Sequence, residues 1–259
     1  YSEVPGMMVF RMLVGWMDTD LHVASKNDLV TAYLQSEEEK AEEWLLGKYR
    51  DPYTGAWVYV WMKGPTYGRQ DGARKFQLTY AKRLVRKMHF VECKNAPSVY
   101  MSVERDIIAP THVDDPFVVT EGLEKTHWFH DNLEQHFDTK GRRILAVGTP
   151  IDYLSMRVSL WPNGDLTVDN SEKIKKFLVE AGMENCKPAA VPLRKEQLQI
   201  LVENKDKPLS AEKQRKIKGD MGKLGWLKES THPVLTTMHS ILSSLLSTPM
   251  EGAEEIMKH

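Results

Sequence analysis

The sequence predicts an α+β fold, with a mixed sheet-and-helix part first and a helical part after it. Three observations lead to this prediction. Runs of β-branched and aromatic residues bounded by turn residues recur up to residue 168. Amphipathic segments with helical spacing separate these runs, and from Asp169 onward helical spacing is the only pattern present. The chain is long enough for each part to bury its own core.

Strands are predicted at residues 57–62, 98–103, 107–112 and 117–120, as a strand or strand end at 28–33, and in a hairpin at 151–168. The turn of that hairpin is residues 162–165 (PNGD), because Asn-Gly favours tight turns. Helices are predicted at residues 36–46, 74–89, 122–137 and 169–182, and as two or more segments from 210 to 258, broken at residues 232–233. Residues 195–207 are predicted to form a linker or loop.

The helix at residues 74–89 carries the strongest charge concentration in the chain. The formal net charge is -1 overall, but the stretch from Lys63 to Lys94 holds nine basic residues against two acidic ones. The predicted buried stripe is Leu78, Ala81, Val85 and Met88. The predicted nucleic-acid-binding residues, expected to face solvent or a nucleic-acid groove, are Lys82, Arg83, Arg86 and Lys87. A solvated helix face without a partner is the alternative explanation.

Cysteine usage and hydropathy limit the setting in which the protein works. Cys93 and Cys186 are too few for a disulfide framework or a cysteine-rich zinc site. Two thiols in a reducing compartment indicate an intracellular protein, cytoplasmic or nuclear. No apolar run approaches the ~20 residues of a membrane span, and no leader sequence opens the chain.

Three aspartates form the candidate catalytic site. Asp114 and Asp115 are adjacent and lie between two apolar predicted strands, and Asp28 lies at another strand end. Isolated carboxylates beside a core are costly, so they usually have a cation. Two Mg²⁺ or Mn²⁺ ions held by such carboxylates are the usual apparatus of phosphoryl transfer. Surface turn residues without a ligand are the alternative.

A resemblance to the reverse transcriptases of copia-type retrotransposons rests on an ordered set of motifs. Residues 28–34 (DLVTAYL) resemble the family's first catalytic segment, and residues 67–74 (YGRQDGAR) resemble its YGLKQAPR segment. Residues 112–115 (HVDD) resemble the Tyr-x-Asp-Asp box of reverse transcriptases. Further similar segments are residues 137–141, 152–158, 177–192 and 231–233. The resemblance extends from about Phe10 to Pro249.

The resemblance implies a fold and an activity. Residues 1–168 would be a reverse-transcriptase palm, an antiparallel sheet packed on helices, and residues 169–259 a helical thumb-like or connection-like region. The activity would be RNA-directed DNA polymerisation by two-metal nucleotidyl transfer. The implied partners are an RNA template, a DNA primer, a dNTP, the rest of the polyprotein and a larger protein assembly.

The resemblance also implies a role for individual residues. Asp28 and Asp114 would bind both metal ions, and Asp115 would be a secondary acid and metal ligand. Tyr33 would lie under the incoming sugar and reject a 2′-hydroxyl, with an ordinary core aromatic as the alternative explanation, and Lys140 would protonate the departing pyrophosphate. The residues implied at the nucleotide are Gln70 or Asp71, between which the altered motif does not decide, and Arg74 beside them.

The sequence also departs from the family pattern. His112 replaces the usual Tyr, and Ala73 replaces the usual Pro. Only 27 residues precede Asp28, too few for the family's fingers, and the RNase H domain would follow the thumb. We therefore expect a piece of a polyprotein that is impaired on its own. The alternative is a domesticated or decayed relative that binds nucleic acid or supports assembly without catalysis.

A histidine cluster offers a different kind of site. His127, His130 and His136 lie with Glu134 on one predicted helix, and the first two are three residues apart. Spacing of this kind can place two ligands on one zinc ion. Exposed helix histidines without a metal are the commoner explanation.

Overall fold

The structure is a computed structural model that describes residues 4–37, 40, 44–189, 191–204 and 206–257. The chain is α+β, and its main sheet is antiparallel, as the sequence predicts. It divides into two compact units. The first comprises Tyr1–Tyr153 and Val158–Thr167, and the second comprises Leu154–Arg157 and Val168–His259.

Among its described residues, the first unit contains three α-helices and most of the strands. The helices are α1 (Met7–Trp16), α2 (Gly72–Lys87) and α3 (Gly122–Glu134). The strands of the main sheet are β1 (His22–Leu29), β4 (Val91–Glu92), β5 (Val99–Ser102), β6 (Ile107–His112), β7 (Asp115–Glu121) and β8 (Thr139–Ile144). A separate hairpin is formed by β2 (Leu45–Arg50) and β3 (Trp57–Met62). The chain then forms β9 (Ile151–Tyr153), β10 (Met156–Leu160) and β11 (Leu166–Asp169).

The order of the main sheet decides which polar residues meet. Its six strands follow the order β4-β5-β6-β7-β1-β8, so β1 lies between β7 and β8. The end of β1 therefore lies beside both the β6–β7 turn and the start of β8. The backbone N–H of Leu29 donates to the carbonyl oxygen of Asp114 at 3.2 Å, which ties the strand end to that turn.

The core of the first unit is aromatic, and α2 contributes one face to it. Phe76, Tyr80, Leu84 and Met88 follow one another at intervals of four and are all buried. Tyr80 packs edge-on against Tyr100 of β5, with ring centroids 5.5 Å apart. This spacing places one continuous apolar stripe of α2 against the sheet.

The predicted face of α2 is partly wrong. Met88 is buried as predicted, but Leu78 and Val85 are exposed, with 60% and 40% of their surfaces accessible. Two sets of apolar residues in this segment have helical spacing. The set that contains the large aromatic rings packs against the sheet, because those rings bury more apolar surface.

The second unit is mainly helical and has its own core. Its helices are α4 (Ser171–Glu180), α5 (Lys195–Glu203), α6 (Ala211–Ser230), α7 (Thr236–Leu245) and α8 (Ala253–Met257). Leu201, Ile217, Leu242 and Ile256 are buried together in that core. Within this unit the Asn170 side chain donates to Ser230 Oγ at 3.0 Å, which satisfies two buried polar groups.

Several predicted elements have the predicted bounds, and others do not. The strands at residues 57–62 and 107–112 and the turn at 162–165 are confirmed. The linker predicted at 195–207 is wrong, because Leu201 is buried and anchors α5 there. Of the two alternatives predicted at 28–33, a strand or a strand end, the structure has the strand end: β1 ends at Leu29, and a 3-10 helix follows at Ala32–Gln35. Of the helix predicted at 36–46, residues 38, 39 and 41–43 lie outside the described residues; the described ones are not helical, and the last two belong to β2.

Candidate carboxylate site

The three predicted aspartates converge on one open pocket of the first unit. Asp28 is near the end of β1, Asp114 lies in the tight turn between β6 and β7, and Asp115 begins β7. All three line the same pocket, together with Lys140 and Tyr67. The convergence follows from the sheet order, because β1 pairs with β7 on one side and β8 on the other.

Lys26 links two of the three carboxylates. Its Nζ atom lies 3.1 Å from Asp28 Oδ1 and 2.9 Å from Asp115 Oδ1. The same ammonium donates to the carbonyl oxygen of Asp152 at 3.0 Å. The Asp28 and Asp115 oxygens are therefore no farther apart than the sum of their two distances to Nζ. Such a separation allows both oxygens to contact a shared cation site.

Burial and neighbouring charges shift the pKa values of Asp115 and Lys26 for different reasons. Burial raises the pKa of Asp115 to about 6, and the nearby charges of Asp28 and Asp114 add to the effect of burial, against the opposing ion pair with Lys26. Burial alone would lower the pKa of Lys26, but Asp115 and Asp28 together raise it. Lys26 faces two carboxylates, whereas Asp115 has one cation and two like charges nearby. The site therefore favours cations and penalises the Asp115 anion.

The β6–β7 turn holds an unusual backbone conformation. His112 pairs with Asp115 across the turn, so Val113 and Asp114 are its two central residues. Val113 has φ +58°, in the left-handed region that a β-branched residue rarely adopts. Backbone strain of this kind concentrates at ligand sites, where the surrounding structure holds it in place. The turn presents the exposed Asp114 side chain to the pocket.

Lys140 meets Asp28 directly across the sheet. The two residues are partners in the pairing of β1 with β8, next to an irregularity between Lys26 and Asp28. Gly141 follows with φ +70°, and a Cβ there would lie 3.5 Å from Asp28 Oδ2. Strand β8 therefore brings Lys140 beside Asp28, and its backbone at Gly141 lies close to the same carboxylate.

The remaining predicted nucleotide-binding residues lie outside the lining of this pocket. Tyr33 packs against the core and stacks on Tyr67, with ring centroids 4.7 Å apart. Gln70 and Arg74 are exposed. Asp71 is held by Arg69 at 2.7 Å and by Lys75, and these contacts lower its pKa well below the usual range. Asp71 is therefore engaged within its own segment.

The basic residues of α2 have unequal surroundings. Arg86 and Lys87 are exposed. Lys82 is exposed but pairs with Glu37 at 2.6 Å. Arg83 is half-buried, donates to the carbonyl oxygen of His136 at 2.6 Å, and lies over the ring of Phe137. The expectation that Arg83 faces solvent is wrong, because its guanidinium joins α2 to the end of α3.

The three histidines His127, His130 and His136 do not form one site, and the last of them lies beyond the end of α3. His130 is buried, with Nε2 2.9 Å from Ser25 Oγ, and burial lowers its pKa to about 4. His127 is exposed and His136 is half-buried. Among the residues that the structure describes, no three His, Cys, Asp or Glu side chains are grouped closely enough to hold a metal ion as they stand.

The carboxylates nevertheless have the donor chemistry that Mg²⁺ requires. Asp115 Oδ1 is buried and, in the described part of the chain, accepts no hydrogen bond of good geometry although Lys26 is close. Oxygen donors from a few carboxylates, completed by water and substrate phosphates, suit Mg²⁺. Lys26 holds two of these acids in their present arrangement, so binding of an ion there requires its ammonium to move.

Sequence reasoning missed Lys26 and gave no role to Tyr67. A signal for Lys26 was present, because residues two apart on a strand tend to share a face, and Lys26 precedes Asp28 by two. Tyr67 had no such signal. Its place in the pocket depends on the stacking with Tyr33, which brings together residues that are far apart in sequence.

Comparisons with known proteins leave the resemblance resting on these residues alone. No protein-family model and no curated protein sequence matches the chain. Across the described residues, none of the helices combines the length and the apolar character needed to cross a membrane.

Proposed function

We propose that this chain is the palm and thumb region of a copia-type reverse transcriptase, an RNA-directed DNA polymerase. The observation that carries the proposal is the convergence of Asp28, Asp114 and Asp115 on one pocket. Residues far apart in sequence meet there at one end of neighbouring antiparallel strands. The sheet order brings these positions together, and the presence of an acid at all three of them is what supports a shared role.

The fold of the first unit supports the same proposal. An antiparallel sheet packed on two helices, α2 and α3, is the arrangement expected of a reverse-transcriptase palm. The β6–β7 turn carries two of the acids, and β1, which ends beside it, carries the third. Residues 169–259 are the proposed thumb-like and connection-like region.

In this proposal each side chain at the pocket has a defined task. Asp28 and Asp114 bind both ions, and Asp115 supports them from a more buried position. Two Mg²⁺ or Mn²⁺ ions, when bound, supply the charge that activates the attacking oxygen and stabilises the leaving one. Lys140, the cross-strand partner of Asp28, would hold a proton near the departing pyrophosphate. The proposed partners are an RNA template, a DNA primer and a dNTP.

The Tyr33–Tyr67 stack serves as the floor for the incoming sugar. Tyr67 lines the carboxylate pocket, and Tyr33 supports it from the core side. A rigid aromatic surface beside the metal site excludes a 2′-hydroxyl by contact. In this arrangement Tyr67 approaches the nucleotide, and Tyr33 acts as a positioning residue behind it.

Primer extension tests the proposal. The chain, alone and together with the upstream polyprotein segment that the resemblance implies, is incubated with a primed RNA template, dNTPs and Mg²⁺ or Mn²⁺. We expect slow extension alone, faster extension with the added segment, and none with Asp114→Ala. Glu104→Ala, which removes an acid whose side chain is 88% exposed, is the matched control and should extend normally.

A decayed, non-catalytic nucleic-acid-binding or assembly subunit is the second candidate. The observation that favours it is Lys26, whose ammonium already neutralises two of the acids. Extension that stays absent in every arm, while the chain still binds primed template, supports this candidate. Extension that survives Asp114→Ala shows that the chemistry lies elsewhere.

A further inference from the structure

The β2–β3 hairpin is a two-stranded sheet that stands apart from the main sheet. Its strands pair with each other from Leu45 opposite Met62 to Arg50 opposite Trp57. Asp51 closes the turn, with its backbone N–H donating to the Ala56 carbonyl oxygen at 2.9 Å. An isolated two-stranded hairpin is only marginally stable in water. Exposed large rings do not stabilise it further, so a structural role alone does not explain them.

The pairing register divides the hairpin into two chemically different faces. Alternate residues of a strand share a face, and directly opposite residues share it too. We name one side the aromatic face, and it consists of Leu46, Lys48, Arg50, Trp57, Tyr59 and Trp61. The opposite face carries no charged residue within the two strands.

The rings of the aromatic face are open to solvent. Trp57, Tyr59 and Trp61 expose 57%, 64% and 62% of their surfaces. They occupy every second position of one strand, so they recur about every 7 Å along it. Three large rings in a regular row are far more apolar surface than a lone exposed aromatic residue.

Cations are interleaved with these rings. Lys48 lies opposite Tyr59 and places Nζ 4.8 Å from the centroid of Trp57. Arg50 lies opposite Trp57, and its Nε donates to the Gly55 carbonyl oxygen at 3.0 Å. The nearby Asp51 is engaged in the turn, where backbone N–H groups of residues 53 and 54 bind its carboxylate. The aromatic face is therefore positive.

We propose that the aromatic face binds single-stranded nucleic acid. A row of exposed rings offers stacking surfaces for unpaired bases, and each stacked base contributes about 1–3 kcal/mol. Lys48 and Arg50 supply the positive charge that follows the phosphate backbone. A duplex conceals its base faces, so rings in this arrangement select single strands. The choice of ligand rests on the proposed function, whose RNA template is itself a single strand, and the aromatic face adds a binding surface separate from the three aspartates.

Fluorescence anisotropy with labelled oligonucleotides tests the proposal. Unstructured DNA and RNA strands and a duplex of the same length are titrated with the full chain. We expect single strands to bind more tightly than the duplex. Trp57→Ala and Trp61→Ala should each weaken single-strand binding about tenfold or more. Comparison of the affinities for the DNA and RNA strands shows which of the two nucleic acids the aromatic face prefers.

Matched variants separate this face from the rest of the hairpin. Tyr49→Ala removes a half-exposed ring from the opposite face and should leave binding unchanged. Lys48→Gln should reduce the slope of log affinity against log salt by about 0.7, the single-strand value for one phosphate contact. Circular dichroism of each variant checks that the fold is retained. Retention is expected, because the substituted side chains are exposed.

Three results would overturn the proposal. One is equal binding by the wild type and Trp61→Ala, and another is equal affinity for duplex and single strand. The third is a dimer that Trp61→Ala dissociates without loss of nucleic-acid binding, which would make the face a protein interface. Primer extension and single-strand binding are measured separately, so absent extension with intact single-strand binding refutes the polymerase function alone, and lost discrimination by the aromatic face refutes this proposal alone.

Discussion

Asp115→Asn should stabilise the metal-free protein at alkaline pH. The pKa of Asp115 is raised to about 6 from an ordinary value near 3.8, chiefly by burial. A raised carboxyl pKa means that the fold favours the protonated acid. Its contribution to stability is complete below about pH 4 and is lost as pH rises through about 6. Two pKa units correspond to about 3 kcal/mol of free energy of unfolding. Asparagine resembles the neutral acid, so it avoids this loss.

Urea denaturation with EDTA at pH 8 and near pH 4 measures this effect. At pH 8 the Asp115→Asn variant should be more stable than the wild type by up to about 3 kcal/mol, and near pH 4 the difference should almost vanish. Glu104→Gln, an exposed acid, should change neither value. Excess Mg²⁺ at pH 8 should narrow the gap, because ions bound to the native site stabilise the wild type selectively.

An Asp115→Asn variant that is less stable than the wild type at pH 8 would contradict this prediction. That result would mean that the ion pair with Lys26, 2.9 Å away, outweighs burial and the two neighbouring acids. The prediction also fails if the difference between the two proteins is independent of pH. The measured difference would then come from packing or hydrogen bonding and not from ionisation of Asp115.

Three further predictions concern charge and packing. Lys26→Met should lower the free energy of unfolding by about 2–3 kcal/mol in EDTA, because two acids lose their cation. Mn²⁺ should stabilise this variant more than it stabilises the wild type. An unchanged urea midpoint in EDTA would contradict the prediction. His130 has its pKa lowered to about 4 by burial, so the fold loses stability as pH falls from 6.5 towards 4. His130→Leu should flatten that part of the pH–stability curve, and a curve as steep as that of the wild type would refute it. Leu84→Ala should cost about 2–5 kcal/mol, whereas Leu78→Ala on the exposed side of α2 should cost little; equal costs would contradict the observed packing of the helix.

Local patterns were sufficient for strands such as β3 and β6 and for the candidate acids, whereas β2 and β8 were not predicted as strands. Ile107–His112 has the composition of a strand, and two carboxylates follow directly after it. Their convergence with Asp28 depends on strand order, which periodicity does not reveal. In the sequence, only the resemblance connects Asp28 with the other two acids.

Tertiary packing decided what local patterns left open. On α2 two helical offsets were both apolar, and the ring of Phe76 and its neighbours selected the one that is buried. Arg83 looked like a surface cation in sequence, but its guanidinium is bound by backbone carbonyls that follow α3 and the 3-10 helix. Leu201 lies in a polar stretch that resembles a linker, yet it is fully buried in the second core.

Counting bound Mn²⁺ by electron paramagnetic resonance tests the central claim most directly. The full chain is titrated with Mn²⁺ in the presence of primed template and a non-hydrolysable dNTP. The two-metal account predicts two bound ions for the wild type, and loss of the protein-held ions when Asp28→Asn and Asp114→Asn are combined. Glu104→Gln should bind as many ions as the wild type. The same ion count and affinity in the double variant and the wild type would contradict the claim that these carboxylates form the metal site.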